Sequence, residues 1–512
     1  MSIRDPRRLG LRVPLLLVIL LSSAGCSAAV RLPPPQAVEV AAAGIVTRGA
    51  WIVHLRAADH GAKQVLRAVY APGQLLLWTA DGQPTPQARA LLRLLQSADV
   101  YGLEPRDYDV DGLTGLANSL TAAGMRSEEP ARSDEAVAAQ RSAEFDVNLS
   151  AAALKLVSDL HYGRIDPRAA GFELGAPRPD DLDLIAVLRE LAASRDLGRT
   201  LAAIEPQFYH YRLLEQALAR YRALTAEQVA QQPAVLEDMR KIDLTLERWR
   251  WLPSFQTPPI IVNIPEFRLF AFRTTADRAA SILQMDVIVG RTFPRMRTPV
   301  FAADMKSVLF RPYWDVPHSI TIQEMLPKIR ANPDYLTAQH LEIVQSGSAG
   351  TQILPPTPET LQALASGAAR LRQQPGPDNA LGLIKFDLPN YHEVYLHSTP
   401  AQQLFREPRR AFSHGCIRVS DPVALAAYVL RDTPGDWTPQ KIEAAMNGVA
   451  TRRVPLARPI RVMIVYATVL AKEDGEVLFF SDLYGQDRRL ERLLGLAPIP
   501  RAAPVLHASS NR

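Results

Sequence analysis

The sequence predicts a multidomain α+β chain: an N-terminal all-helical unit, followed by a β-rich domain that carries a helical insertion. Three observations support this. At 512 residues the chain exceeds one ordinary domain, and length alone suggests about three. Between 51 and 239 apolar residues recur at helical spacing. From 240 onward short β-branched runs alternate with turn residues. The composition, 47% hydrophobic and 22% charged, is that of a globular protein.

The first residues read as an address rather than as fold. Arg4, Arg7, Arg8 and Arg12 form a positive head, Leu15 to Leu21 a short apolar run, and Ser22-Ser23-Ala24-Gly25 a string of small residues. The run is too short to span a membrane as an ordinary helix, so residues 1–26 are expected to direct export. The segment ends at Gly25-Cys26, which resembles a bacterial lipoprotein cleavage box with Ser23 where that box usually has Leu. Two outcomes stay open: a lipidated Cys26 that attaches the chain to a membrane, or a plain secretory signal that discards Cys26. Residues 27–50, rich in Pro and Ala from 31 onward, read as a tether.

In the helical unit (51–239), Ala88, Leu91, Leu92 and Leu95 share one helix face, with Gly102 expected to close it. A second helix runs through residues 151–160 and stops near Gly163. Others are expected at about 181–193, 207–223 and 233–248. The charged, Ala-rich stretch 125–142 reads as a solvated loop.

The β-rich domain spans 240–485. Residues 260–264, 269–272, 285–290, 307–310 and 394–397 read as strands. Asp474-Gly475 marks a hairpin between 461–469 and 477–480. Residues 316–380 return to helix and loop and read as an insertion. Residues 486–512 read as a basic tail, expected to open as a short helix and then to be disordered.

Charge narrows the function classes. A formal +5, from 58 basic against 53 acidic residues, with no basic stripe interleaved with aromatics, gives no sign of a nucleic-acid partner. Only Cys26 and Cys416 exist. After export and processing Cys416 would be a lone thiol in an oxidising compartment, where it must be buried or used.

One segment combines nucleophile, base and cation: His397, then Ser413-His414-Gly415-Cys416-Ile417-Arg418. A thiol needs a base or a positive field to act as a nucleophile. His397 can be the base, and Arg418 adds charge. Strand alternation puts Tyr395 and His397 on one face, toward a cleft, and Val394 and Leu396 on the other, toward the core. Gly415 allows a tight turn, so that its amide and that of Cys416 could meet an oxyanion, with His414 completing the hole or lining the pocket. Asp421 as N-cap and Pro422 as first helical residue start a helix just downstream. The same residues have plainer readings. Cys416 could be a small core residue, His414-Gly415 a turn, and Arg418 a surface residue. His397, His414 and Cys416 are also competent zinc ligands, although their spacing is not of zinc-finger type.

The pattern H-x₁₅-S-H-G-C-x-R resembles the signature of L,D-transpeptidase (YkuD-like) catalytic domains. Asn263–Leu269 and Val287–Arg291 are similar to that family's opening strands. Leu246–Pro253, Pro312–Pro317, Leu326-Pro327, and Trp78-Thr79 with Asp81-Gly82 resemble its large YcbB-type subgroup. The resemblance implies a helical scaffold followed by an L,D-transpeptidase catalytic domain with a capping insertion, located in the periplasm or cell envelope of a Gram-negative bacterium. It implies that Cys416 attacks a tetrapeptide stem of peptidoglycan, releases D-Ala, and passes the acyl group to a neighbouring stem to form a 3–3 cross-link. His397 would be the base, oriented by Ser398, with His414 and Gly415 about the oxyanion. Tyr395, Ser398, Ser413, Arg418, Tyr313 and Trp314 would bind substrate. No cofactor or metal is implied. Peptidoglycan stem peptides are the implied partners, with other cell-wall synthesis proteins as candidates. An L,D-carboxypeptidase or peptidoglycan hydrolase using the same cysteine, and a non-catalytic envelope scaffold, are the competing readings. The subgroup's small peptidoglycan-binding module has no counterpart between Leu224 and Asp238.

Overall fold

The computed structural model describes residues 35–48, 61–71, 74–124, 132–174, 182–232, 234–253, 257–272, 283–347, 350–497 and 499. The export segment, Cys26 and residues 500–512 lie outside them. Among the described residues no helix is long and apolar enough to cross a membrane.

The helical unit is built around the helix Arg132–Tyr162, whose Phe145, Leu149, Leu154, Val157 and Leu160 are fully buried. The helix Pro86–Gln96 packs Ala88, Leu91, Leu92 and Leu95 into the same core, with Thr85 capping its first turn. It ends at Gln96, so Gly102 closes the following 3₁₀ turn, Ala98–Tyr101, rather than the helix. Two expectations are corrected. Part of the tether is the helix Pro35–Arg48, which buries Ala42, Ile45 and Val46 in the core. Residues 132–142, expected as a loop, are the first turns of the long helix. They combine the favourable helix propensity of Ala with an inward Ala139, while Arg141 is exposed. Helices Leu184–Ala193, Tyr209–Arg222 and Ala234–Arg250 fall near the expected places. The unit also holds a small hairpin, Thr79–Ala80 with Gln83–Pro84. A two-residue strand, Phe172–Glu173, pairs parallel with Val300 and Phe301 of the β-rich domain. Between Arg222 and Ala234 the described chain adds only the short helix Ala226–Gln231.

Packing divides the chain differently from the sequence pattern. Helices Tyr209–Arg222 and Ala234–Arg250 bury Tyr211, Leu214, Leu218, Ile242 and Leu246 in the β-rich core, not in the core of the preceding helices. The two cores are tied by a buried charge cluster. Arg250, fully buried, donates to the Tyr211 hydroxyl from Nε (3.2 Å) and Nη2 (3.1 Å), and to the Tyr101 carbonyl. Glu247 Oε1 accepts from the amides of Arg164 (2.6 Å) and Ile165 (3.0 Å) and from the Trp251 indole (3.2 Å).

In the β-rich domain the strands run in the order Ile384–Asp387, Leu396–His397, Ile417–Val419, Leu283–Gly290, Arg268–Ala271, Ile260–Asn263, Arg452–Val465 and Val300–Phe310. Val300–Phe310 also pairs with Ile384–Asp387, so the sheet closes into a ring with no free edge there. Residues 461–465 belong to the long strand Arg452–Val465; the hairpin about Asp474-Gly475 joins Val469–Ala471 to Val477–Phe479. The start of the expected tail is structural: the helix Gln486–Leu493 buries Leu490, and its Asp487 meets Arg248 at 2.6 Å.

The insertion leaves the ring after Phe310 and returns at Ile384. It contains the expected helical segments and also a four-stranded sheet, ordered Gly350–Leu354, Leu341–Gly347, Arg370–Gln373, Trp314–Asp315. Its own small core includes Leu326, Ile329, Ile343, Leu364 and Leu371.

Candidate active site

Strand pairing assembles the site. Leu396–His397 lies parallel to Ile417–Val419, with His397 opposite Arg418, and the Ile417 amide donates to the Tyr395 carbonyl at 3.0 Å. Alternation then turns Tyr395, His397, Cys416 and Arg418 to one side, and all four line a cavity of about 520 Å³. Leu396 and Ile417 point the other way, into the core. Trp314, Ser413 and His414 line the same cavity, which is roofed by Ile320, Gln323, Glu324 and Met325 of the insertion.

The loop carrying the thiol is held from both sides. Ser413 Oγ donates to the Cys416 carbonyl (2.6 Å) and accepts from the Gly415 amide (3.1 Å). Thr298 Oγ1 donates to the Gly415 carbonyl (2.8 Å) and accepts from the Gly290 amide (2.8 Å). Gly415 has φ +124°, a conformation that favours glycine, although an added Cβ would meet nothing closer than 3.6 Å. At Gly290 crowding decides, since a Cβ would fall 2.0 Å from the Met296 carbonyl.

The oxyanion expectation changes as a result. The Gly415 amide is engaged by Ser413. The Cys416 amide has no acceptor among the described residues, which leaves it as the candidate main-chain donor. His414 also has a partner: its Nε2 meets Glu324 Oε1 of the insertion at 2.6 Å.

The His397 ring is 4% exposed, and its Nδ1 donates to the Ser398 carbonyl at 2.5 Å. That bond leaves Nε2 unprotonated in the neutral tautomer. Burial, with Arg418 next, pulls the imidazole down to a pKa of about 3, so it is neutral at physiological pH. Burial pushes the Cys416 thiol up, against the opposing pull of the Tyr395 amide and hydroxyl, Lys385 and Arg418. The resting pair is therefore a neutral thiol and a neutral imidazole, so the nucleophile forms when His397 takes the thiol proton. The sulfur lies 3.7 Å from the Glu393 carbonyl. The helix Pro422–Leu430 starts as expected, with Asp421 Oδ1 accepting from the Ala424 amide at 2.9 Å. A strand separates it from Cys416, beyond the reach of the helix dipole.

Two expected substrate contacts fall elsewhere. Ser398 acts through its carbonyl, and its buried side chain packs against Gly382. Tyr313 lines a second cavity of about 620 Å³ across the Tyr395 wall, with Arg372 over its ring at 4.3 Å. Lys385, Glu324 and Thr298 are not legible as site residues in the sequence. Each reaches the site through pairings between distant segments, with no local motif to mark it. Among the described residues no group of three or more His, Cys, Asp or Glu side chains is arranged to hold a metal ion.

Comparison with known proteins agrees with this architecture. Residues 258–439 match the YkuD family, described as an L,D-transpeptidase catalytic domain, and residues 64–218 match a family described as a Scaffold domain. The chain therefore carries a YkuD L,D-transpeptidase catalytic domain behind a Scaffold domain, the YcbB-like arrangement. A Haemophilus influenzae protein named "Putative L,D-transpeptidase" is 31% identical over 251 residues, 49% of this chain and 49% of that protein. The chain thus aligns with about half the length of this curated relative.

Proposed function

We propose that this protein is a peptidoglycan L,D-transpeptidase that forms 3–3 cross-links through a Cys416 thioester. The observation that supports this most is the shared face of Tyr395, His397, Cys416 and Arg418 in one cavity beneath the insertion. Peptidoglycan as the substrate is what the catalytic-domain family implies. In the first half-reaction the Cys416 sulfur attacks the carbonyl at the L-centre of the third stem residue. His397 Nε2 takes the thiol proton as the sulfur–carbon bond forms. The Cys416 amide donates to the oxyanion. The carbon–nitrogen bond to D-Ala then breaks, and the imidazolium returns its proton to the leaving amine. In the second half an amine of a neighbouring stem gives its proton to His397 as it attacks the thioester; the carbon–sulfur bond breaks, and the imidazolium returns the proton to the departing sulfur, restoring the neutral pair. Because imidazole and thiol both start neutral, the pair separates charge only as substrate is attacked.

The export segment and Cys26 extend this proposal to a periplasmic enzyme, with lipidation of Cys26 as its route to the membrane. Incubating the protein with a disaccharide-tetrapeptide and analysing products by mass spectrometry tests the reaction. Free D-Ala and a 3–3 dimer are expected. Tripeptide without dimer would establish water as acceptor and replace transfer with hydrolysis. Absence of both, with a folded protein that a carbapenem also fails to acylate, would leave the non-catalytic scaffold reading.

A further inference from the structure

Lys385 is not part of the signature motif, yet the ring places it beside the thiol. In the antiparallel pairing of Ile384–Asp387 with Leu396–His397, Lys385 lies directly opposite His397, which in turn lies opposite Arg418. One rung across three strands therefore reads Lys385, His397, Arg418; His397 and Arg418 line the cavity of the thiol, and Lys385 lines the second cavity on the other side of the Tyr395 wall. Lys385 Nζ sits 4.0 Å from the centroid of the Tyr395 ring, and the Tyr395 hydroxyl and the Cys416 thiol are close enough to influence each other's ionisation. We propose that Lys385 is a positioning residue of the acyl transfer: its ammonium fixes the Tyr395 ring and supplies, from the side opposite Arg418, the second positive charge that favours negative charge on the Cys416 sulfur. This inference rests on the transpeptidase reading.

The surrounding charges leave Lys385 able to do this. Its carboxylate partner is Asp387, at 3.6 Å, and Asp387 is held more closely by Arg453, at 2.7 Å, which reaches it from Arg452–Val465, the strand beyond Val300–Phe310. One carboxylate is thus shared by two cations. The residue opposite Lys385 on the strand Val300–Phe310 is Leu309, which carries no charge. From the remaining elements the cleft receives Arg418 with Arg291 near it, the His414–Glu324 pair, and Asp315 near Tyr395. Glu393 contributes its carbonyl to the sulfur. A cation on an aromatic face also favours one placement of the ring beneath it, which keeps the Tyr395 hydroxyl near the sulfur.

The test compares wild type, Lys385→Met, Lys385→Arg and Asp387→Asn. Thiolate absorbance is titrated against Cys416→Ala as blank, and carbapenem acylation rates are followed across pH. Loss of one nearby charge at high effective dielectric should raise the thiol midpoint of Lys385→Met by roughly half to one pH unit and slow acylation at pH 7 about three- to tenfold. Lys385→Arg should restore both. Asp387→Asn, which frees the ammonium from its carboxylate, should lower the midpoint, and it carries the test alone if Lys385→Met does not fold. Superimposable midpoints for wild type and folded Lys385→Met, or for wild type and Asp387→Asn, would overturn the inference. A wild type that neither acylates nor releases D-Ala would instead sink the transpeptidase reading, and the two failures are read from different samples.

Discussion

His414 Nε2 meets Glu324 Oε1 at 2.6 Å, joining the loop that carries the thiol to the insertion above it. Glu324 lies in the π-helical turn Thr321–Met325, a wider turn often found at functional places in helices. The contact holds roof and floor of the cavity in register. Glu324→Ala should therefore slow acylation severalfold. Because both side chains are about one-third exposed, its effect on global stability should stay within about 1 kcal/mol. A stopped-flow acylation assay beside a thermal melt separates the two. A large drop in melting temperature would show instead that the insertion is held on mainly by this pair.

Gly415→Ala should damage function more than folding. An added methyl has room, but φ +124° must relax, and strain of this kind costs on the order of 1–3 kcal/mol. Relaxation would pull on the Ser413 and Thr298 bonds that set the Cys416 amide. Acyl-enzyme yield, read by intact-protein mass spectrometry, should fall at least tenfold while the protein stays folded.

The low pKa of His397 makes a stability prediction. In the unfolded chain this histidine takes up a proton near pH 6.5, whereas in the fold it does so only near pH 3. Below pH 6.5 the unfolded state binds more protons, so the stability His397 contributes is full above that value and is lost as pH falls toward 3. His397→Gln should remove this part of the dependence. Denaturant melts between pH 4 and 7.5, compared as a difference curve, would show it.

Glu215 acts in the opposite direction. Burial, then the neighbouring Glu205 carboxylate, holds it up at about pKa 8, against the pull of Arg212. The folded state therefore binds the extra proton, and this contribution fades as pH rises from the ordinary carboxylate range through 8. Glu215→Gln should flatten the alkaline side of the stability profile. An unchanged slope between pH 5 and 8 would count against the shared-proton arrangement.

Arg250 joins the two cores, and truncation to Ala would strip Glu247, Tyr211 and the Tyr101 carbonyl of a buried partner. Breaking such a cluster costs about 3–5 kcal/mol. The melt of Arg250→Ala should fall sharply or split into two transitions, and a single transition at the wild-type temperature would refute this.

The sequence exposed the site well because its parts are local. His397 ends one strand and Cys416 immediately precedes the adjacent one, and the motif between them is short enough to read as one constellation. Alternation alone placed Tyr395 and His397 together, with Val394 and Leu396 facing inward. Lys385 was illegible, since its neighbours depend on a register that no propensity encodes. The strand Leu341–Gly347 was missed because its second half is polar and exposed. The helix Pro35–Arg48 reads as a tether in the sequence because Pro and Ala suggest a linker, while what orders it is a partner helix distant in sequence.

The ring closes where the insertion begins and ends. Phe310 and Ile384 are paired across adjacent strands, and the Arg311 amide donates to the Leu383 carbonyl at 2.8 Å. The exit and re-entry points of some seventy residues are thus already neighbours. The cap can be lengthened, trimmed or exchanged without altering the register of any strand that carries Tyr395, His397 or Cys416. Substrate choice and chemistry can then change independently of one another.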